Sequence, residues 1–227
     1  MKTNRSAFSL IELLVVIAII ATLMSISILY LSGAKSRAKG IECQKNLGDW
    51  AKGLGMFIDE SRIHKFPNPG SGARDDANAW YNVLAKHLDI RPLSEYGEEE
   101  RLPGPQSGIK SMYVCPLATK GDGDKALFSY AANAFFEKDN KALRAANVHD
   151  ASAFIVFMDA PKPTECSATC SQVLESGGAG SFRHGGRMNA AFLDGSVRSL
   201  DPRQVRTGSD DLTKISEANI YWDAFPE

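Results

Sequence analysis

The chain lacks a charge excess of either sign. Across its 227 residues, 26 Lys+Arg meet 27 Asp+Glu, a formal net charge of −1 at pH 7. A dedicated nucleic-acid binder shows a basic excess or a basic face, so no nucleic-acid partner is expected. Proline is missing between Phe8 and Ser61, and nothing in that stretch forbids a continuous helix. There is no G-x-S-x-G nucleophile turn and no G-K-[ST] phosphate loop, which removes two common routes to hydrolysis and nucleotide chemistry. Internal repeats are absent, and cysteines number only four. With 44% hydrophobic and 23% charged residues, the chain is not a disordered one, and its length suits one domain with an appendage.

What is present is an uneven distribution of apolar residues. Residues 8–31 read FSLIELLVVIAIIATLMSISILYL, with Glu12 as the single charge. As a helix rising about 1.5 Å per residue, this segment would span roughly 36 Å, enough to cross a bilayer core of about 30 Å with some tilt. A secretory signal has a shorter apolar region and a small-residue cleavage site after it. Here polarity returns only at Ser32-Gly33-Ala34-Lys35. Lys2 and Arg5 before the run place its start on the cytoplasmic side, although Lys35, Arg37 and Lys39 oppose that bias.

Glu12 is out of place in such a run. A carboxylate at mid-span costs on the order of 2.5–3.5 kcal/mol, less near the interface, while the helix dipole favours it in the first turn by up to about 1 kcal/mol. Solvation near the headgroups would account for it without any role. However, Ala7-Phe8-Ser9-Leu10-Ile11-Glu12-Leu13-Leu14 behind a short basic leader closely resembles the prepilin signal of type IV pilins and type II secretion pseudopilins. The resemblance implies cleavage by a prepilin peptidase between Ala7 and Phe8 and N-methylation of Phe8. Glu12 becomes the fifth mature residue, the position the family uses in assembly. The family usually has Gly before the cut; Ala7 stands there.

Beyond the membrane segment, Cys43, Leu47, Trp50, Leu54 and Phe57 recur at helical spacing. This stripe is expected to pack on the protein's own sheet rather than in a coiled coil. The breaker cluster at residues 66–72 ends the helix. Residues 79–88 read as a short amphipathic helix with Trp80, Val83, Leu84 and Leu88 on one side, and 91–110 as a solvated loop. A short strand is expected at 111–115, a turn at 121–124 and a buried strand at 153–158. A hairpin is expected from 189–193 and 196–200 around Asp194-Gly195. A type I′ turn there would pair Phe192 with Val197. The polar tail from Arg203 offers Ile220, Tyr221, Trp222 and Phe225 to dock it.

His184, nine residues, then Asp194-Gly195 resembles the H-X9-DG motif of a large bacterial pilin-like family. Cys43 followed by Asn46-Leu47, Phe66-Pro67, Cys115-Pro116 and Ser129-Tyr130-Ala131-Ala132-Asn133 are similar to that family's other marks. The resemblance implies an α+β, pilin-like fold: a long N-terminal helix, its first half membrane-spanning, packed on a C-terminal antiparallel sheet domain. The divisions expected are a leader at 1–7, a transmembrane and assembly helix at 8–31, and the extracytoplasmic half of that helix at 32–61. A globular domain follows at 62–227, carrying the motif at 184–195.

Outside the membrane, cysteines tend to form disulfides, and four cysteines allow three connectivities. Spacing favours Cys166 with Cys170 and Cys43 with Cys115. Zinc is the alternative, which C-x3-C without a second close Cys/His pair carries poorly. His184 with Asp159 and Asp194 invites an acid/base or metal-ligand reading. The plainer reading is structural, with Asp194 and Gly195 in a turn and His184 fixing the loop before it, and no catalytic residue, metal or cofactor is expected.

The function expected is that of a structural subunit of a type IV pilus-like or type II secretion pseudopilus filament. It would sit in the cytoplasmic membrane by a single pass, with its C-terminal domain extracytoplasmic. Its partners would be prepilin peptidase, other pilin or pseudopilin subunits and the membrane. Two other classes stand beside it: a membrane-anchored extracytoplasmic binding module, and an extracytoplasmic enzyme using His184 and Asp194.

Overall fold

The structure, a computed structural model, describes residues 9–70, 73–97, 100–103, 108–118, 129–133, 136–138, 141–160, 182–201 and 204. The expected cleavage pair Ala7 and Phe8, the turn at 121–124, Cys166, Cys170 and the aromatic tail lie outside these residues. The chain divides into two compact units at Lys39/Gly40.

Helix α1, Leu10–Glu60, begins at a local cap. Ser9 Oγ accepts the Ile11 N–H at 3.3 Å, and Glu12 Oε2 accepts the Ser9 N–H at 2.8 Å. This reciprocal S-x-x-E arrangement occupies backbone donors that the first helical turn leaves unpaired. Within the first unit, Leu10–Ser27 is long and apolar enough to cross a membrane and none of it is buried. Its small polar residues are satisfied inside the helix: the Thr22, Ser25 and Ser27 hydroxyls donate to the carbonyls of Ile19, Thr22 and Leu23, each at 2.8 Å. Hydroxyls bonded this way ask nothing of a lipid surrounding.

In the second unit the stripe on α1 is buried as expected. Cys43, Leu47, Trp50 and Leu54 are sealed from solvent, whereas Ile58 takes the last core position and Phe57 is half-buried. The stripe packs on the chain's own core with α2, Trp80–His87. Trp50 meets Trp80 edge-on with ring centroids 5.1 Å apart and Tyr113 at 5.3 Å, and Trp80 leans on Phe157 at 4.9 Å. A Cβ at Gly53 would come within 2.9 Å of Leu88 Cγ and Cδ1, so glycine there permits the close approach of α1 to the residues after α2.

Four strands form an antiparallel sheet in the order β1, β4, β5, β6: Tyr130–Ala132, Ile155–Asp159, Met188–Phe192 and Val197–Leu200. A separate two-stranded ladder joins β2, Glu137–Lys138, to β3, Lys141–Ala142. One sheet face, through Val156, Phe157 and Ala191, joins the core with the α1 stripe. The other gathers Ile155, Met158, Met188, Ala190, Phe192 and Leu200. The layout is the α+β, pilin-like one expected.

Two local expectations are corrected. Residues 111–115 form a turn, not a strand, closed by the Val114 N–H to the Ser111 carbonyl at 3.2 Å. The carbonyls that a strand would pair serve α1 instead: Met112 O accepts Trp50 Nε1–H at 3.1 Å and Val114 O accepts Asn46 Nδ2–H at 3.4 Å. The β5–β6 hairpin is also a different turn. Val197 pairs with Ala191, not Phe192, and Leu193, Asp194 and Gly195 form the loop. Gly195 has φ +84°, whereas Asp194 is not left-handed. A type I′ turn needs positive φ at both central residues. With one residue more in the loop, Val197 faces the α1 core and Phe192 faces the opposite cluster, the consequence of a one-residue register change.

This geometry predicts the cost of two substitutions. Gly195→Val should destabilise the domain by at least about 1–2 kcal/mol, because a side chain strains the left-handed conformation. Asp194→Asn should be close to neutral, since Asn keeps the oxygen that accepts the Ser196 N–H, at 2.8 Å in the present chain. Thermal unfolding of the two variants measures the difference.

Candidate functional site

Four chemistry-bearing side chains from distant parts of the sequence meet in the second unit. Cys43 comes from α1, Cys115 from the end of the turn after Ser111, Asp159 from the last position of β4, and His184 from the loop before β5. One donor atom from each, the two Sγ atoms, a carboxylate oxygen and an imidazole nitrogen, lies within 4.8 Å of every other. The helix, sheet and loop are held together by the packing described above, so the convergence follows from the fold rather than from any sequence spacing.

The contacts within the cluster are short and specific. Cys43 Sγ donates to Asp159 Oδ1 at 3.1 Å, His184 Nε2 stands 3.2 Å from Asp159 Oδ2, and Cys115 Sγ stands 3.6 Å from the same His184 nitrogen. Asp159 is completely buried, and its Oδ2 also accepts the Asn189 N–H at 2.8 Å. The Tyr130 hydroxyl donates to Cys43 Sγ at 3.5 Å while accepting Asn46 Nδ2–H at 3.2 Å. Gln44 Nε2 donates to Asn189 Oδ1 at 3.1 Å, so α1 is tied to β5 beside the cluster. His184 Nδ1 is buried without a hydrogen-bond partner among the described residues, as is Arg183 Nε.

Proton affinities are pulled apart by this packing. A hydrogen bond with Cys43 lowers Cys115 to about 5 against the opposing effect of burial, with a further hydrogen bond from His184 assisting. The same shared contact, together with burial and the nearby Asp159, pushes Cys43 well above the ordinary thiol range. The two thiols are thus pushed in opposite directions, Cys115 toward the thiolate and Cys43 away from it. Burial works to lower His184, but its hydrogen bonds with Asp159 and Cys115 outweigh that and raise it to about 9. Both neighbours thus favour the protonated form of the imidazole.

Cys43 and Cys115 were the expected disulfide partners on spacing; both are free here. Spacing alone offered no view of Asp159 and His184, which engage the two sulfurs in the same pocket. His184 and Asp194 do not act together either. The carboxylate beside His184 is Asp159, whereas Asp194 is exposed at the hairpin tip, where it accepts the Ser196 N–H and donates its own N–H to the Ala151 carbonyl.

Tyr130 and Asn189 support the cluster without having been singled out as site residues. Tyr130 lies inside the Ser129–Asn133 run that is similar to a mark of the pilin-like family, which is its signal in the sequence. At the other end of the chain, Glu12 is exposed and bonds the Ser9 N–H. Ser9 and Glu12 stand at the S-x-x-E spacing of a capping box, a sequence signal not among the expectations above.

Residues 2–28 match the family model for the prokaryotic N-terminal methylation motif. No curated protein and no solved structure matches the chain. The match covers Lys2 and Arg5, the expected cut and residues 8–28 of the apolar segment, and it gives the N-terminus a prepilin-type methylation motif on a helix long and apolar enough to cross a membrane.

Proposed function

We propose that the protein is a structural subunit of a type IV pilus-like or type II secretion pseudopilus filament, cut by prepilin peptidase after Ala7, methylated at Phe8 and assembled through its N-terminal helix. The observation that carries this reading is the methylation motif at residues 2–28 laid over a helix whose apolar segment is exposed on every side. Such a helix has two environments that satisfy it, lipid before assembly and neighbouring helices afterwards. The domain beyond Lys39 has its own core, so it does not need those helices to fold.

Glu12 supplies the register in this reading. Cleavage creates an α-amino group at Phe8, and methylation leaves it able to carry charge. In a helical bundle that amine can meet Glu12 of an axially staggered neighbour, which removes two charges from an apolar surrounding at once. Lys2 and Arg5 leave with the leader, keeping the mature helix start free of other positive side chains.

Mass spectrometry of the mature N-terminus tests the processing step. N-methyl-Phe8 is expected in cells with an active prepilin peptidase, and an intact Met1-containing leader in cells without it. An intact leader in both would end the reading.

A further inference from the structure

We propose that Cys43, Cys115, Asp159 and His184 form a zinc-binding site that ties α1 to the sheet. The donor set is two thiols, one carboxylate and one imidazole, which suits four-coordinate zinc and not the all-oxygen shells of magnesium or calcium. Zn–ligand bonds of about 2.0–2.3 Å put tetrahedral ligand atoms roughly 3.3–3.8 Å apart. The cluster gives 3.1 Å from Cys43 Sγ to Asp159 Oδ1, 3.2 Å from His184 Nε2 to Asp159 Oδ2, and 3.6 Å from Cys115 Sγ to His184 Nε2. Four-coordination takes one Asp159 oxygen, and with the two sulfurs and the imidazole nitrogen it forms a set of donor atoms all within 4.8 Å of one another, which small side-chain adjustments bring to those edges.

The surroundings are those of a metal site. Metal-bound thiolates and carboxylates are held by outer hydrogen bonds, and here Tyr130 OH points to Cys43 Sγ and the Asn189 N–H to Asp159 Oδ2. His184 coordinates through Nε2, the nitrogen that faces both Asp159 and Cys115. Two thiolates and a carboxylate around Zn²⁺ leave one negative charge. Arg183, adjacent to His184 and donating to the Ala160 carbonyl, offsets it. Binding releases two protons to solvent, one from the Cys43 thiol and one from the Cys115–His184 pair, and involves no change of oxidation state.

The site explains why ionisable groups from α1, the turn after Ser111, β4 and the loop before β5 are buried together. It makes His184 of the H-X9-DG motif a metal ligand, while Asp194 and Gly195 remain turn residues. Metal binding here does not depend on filament assembly, which rests on Glu12 and the processed N-terminus.

Cobalt titration of the full-length, reduced chain in detergent tests it. One equivalent of Co²⁺ should give the thiolate-to-cobalt charge-transfer and visible bands of a tetrahedral site, and Zn²⁺ should displace it. The bands should persist in a Cys166→Ser/Cys170→Ser chain and vanish in Cys115→Ser. Tyr130→Phe should weaken Zn²⁺ binding about tenfold. Because Cys115→Ser can also disturb folding, alkylation of the wild-type thiols provides a second reading: chelation should speed labelling of Cys43 and Cys115, and Zn²⁺ should restore protection. Absence of the bands, bands lost only with Cys166 and Cys170, labelling unaffected by Zn²⁺, or a Cys43–Cys115 disulfide in the isolated chain would each overturn the proposal.

Discussion

Glu12→Val subunits are expected to insert and fold normally yet fall at least about tenfold in filament incorporation when no wild-type copy is present. A tenfold loss corresponds to about 1.4 kcal/mol at the contact, modest for an ion pair withdrawn from water. Insertion should not suffer, because a carboxylate within a spanning helix costs on the order of 2.5–3.5 kcal/mol at its centre and valine removes that cost. The substitution also removes the Glu12–Ser9 contact that caps α1, so a second variant separates the two roles. Glu12→Gln retains an oxygen for the Ser9 N–H but not the charge that meets a neighbour's amine. It should therefore keep the helix start and still assemble poorly. Quantitative blotting of sheared filament against membrane fractions reads both variants. Wild-type incorporation of Glu12→Gln would make Glu12 a helix cap and nothing more.

Trp50→Ala is expected to be the most damaging single truncation in the globular unit. Trp50 is fully buried, packs on Trp80 and Tyr113, and donates its indole N–H to Met112 O. Deleting a buried tryptophan costs about 3–5 kcal/mol, and the orphaned carbonyl adds to it. For a chain of this size that is a fall in melting temperature of roughly 6–20 °C, against a typical total stability of about 5–15 kcal/mol. Ile41→Ala on the exposed side of the same helix should change stability by less than about 0.5 kcal/mol. Thermal unfolding followed by near-ultraviolet circular dichroism compares them. Equal melting temperatures for the two variants would remove Trp50 from the centre of the core.

Periodic burial was the part of this fold most legible in the sequence. The α1 stripe, α2 and β4 follow from apolar spacing, because burying one face of a helix or a whole strand leaves a repeating mark. Turn chemistry was less decisive. Asp-Gly marked the hairpin but fits either a two-residue loop or a longer one ending in a left-handed glycine, and packing of Val197 against Gly48 and Phe192 beneath Arg198 accompanies the second. The run at 111–115 resembles a strand because Met112, Tyr113 and Val114 are apolar or aromatic, yet its Met112 and Val114 carbonyls are taken by side chains of α1.

The cluster was the least legible feature. Cys43 and Asp159 are 116 positions apart, and no local spacing announces four groups that meet only when helix, turn, strand and loop are packed. Their chemistry could be named one residue at a time, but their partners could not. The helix start is the opposite case: Ser9 and Glu12 are three residues apart, so the sequence contained the whole arrangement.

Filament residence is the property on which the account turns. Filaments sheared from cells with an active prepilin peptidase, purified by sedimentation and analysed by peptide mass spectrometry, should contain the mature chain beginning at N-methyl-Phe8, and cells lacking the peptidase should yield none of it in that fraction. Mature chain confined to the membrane fraction of cells that make filaments would contradict the account.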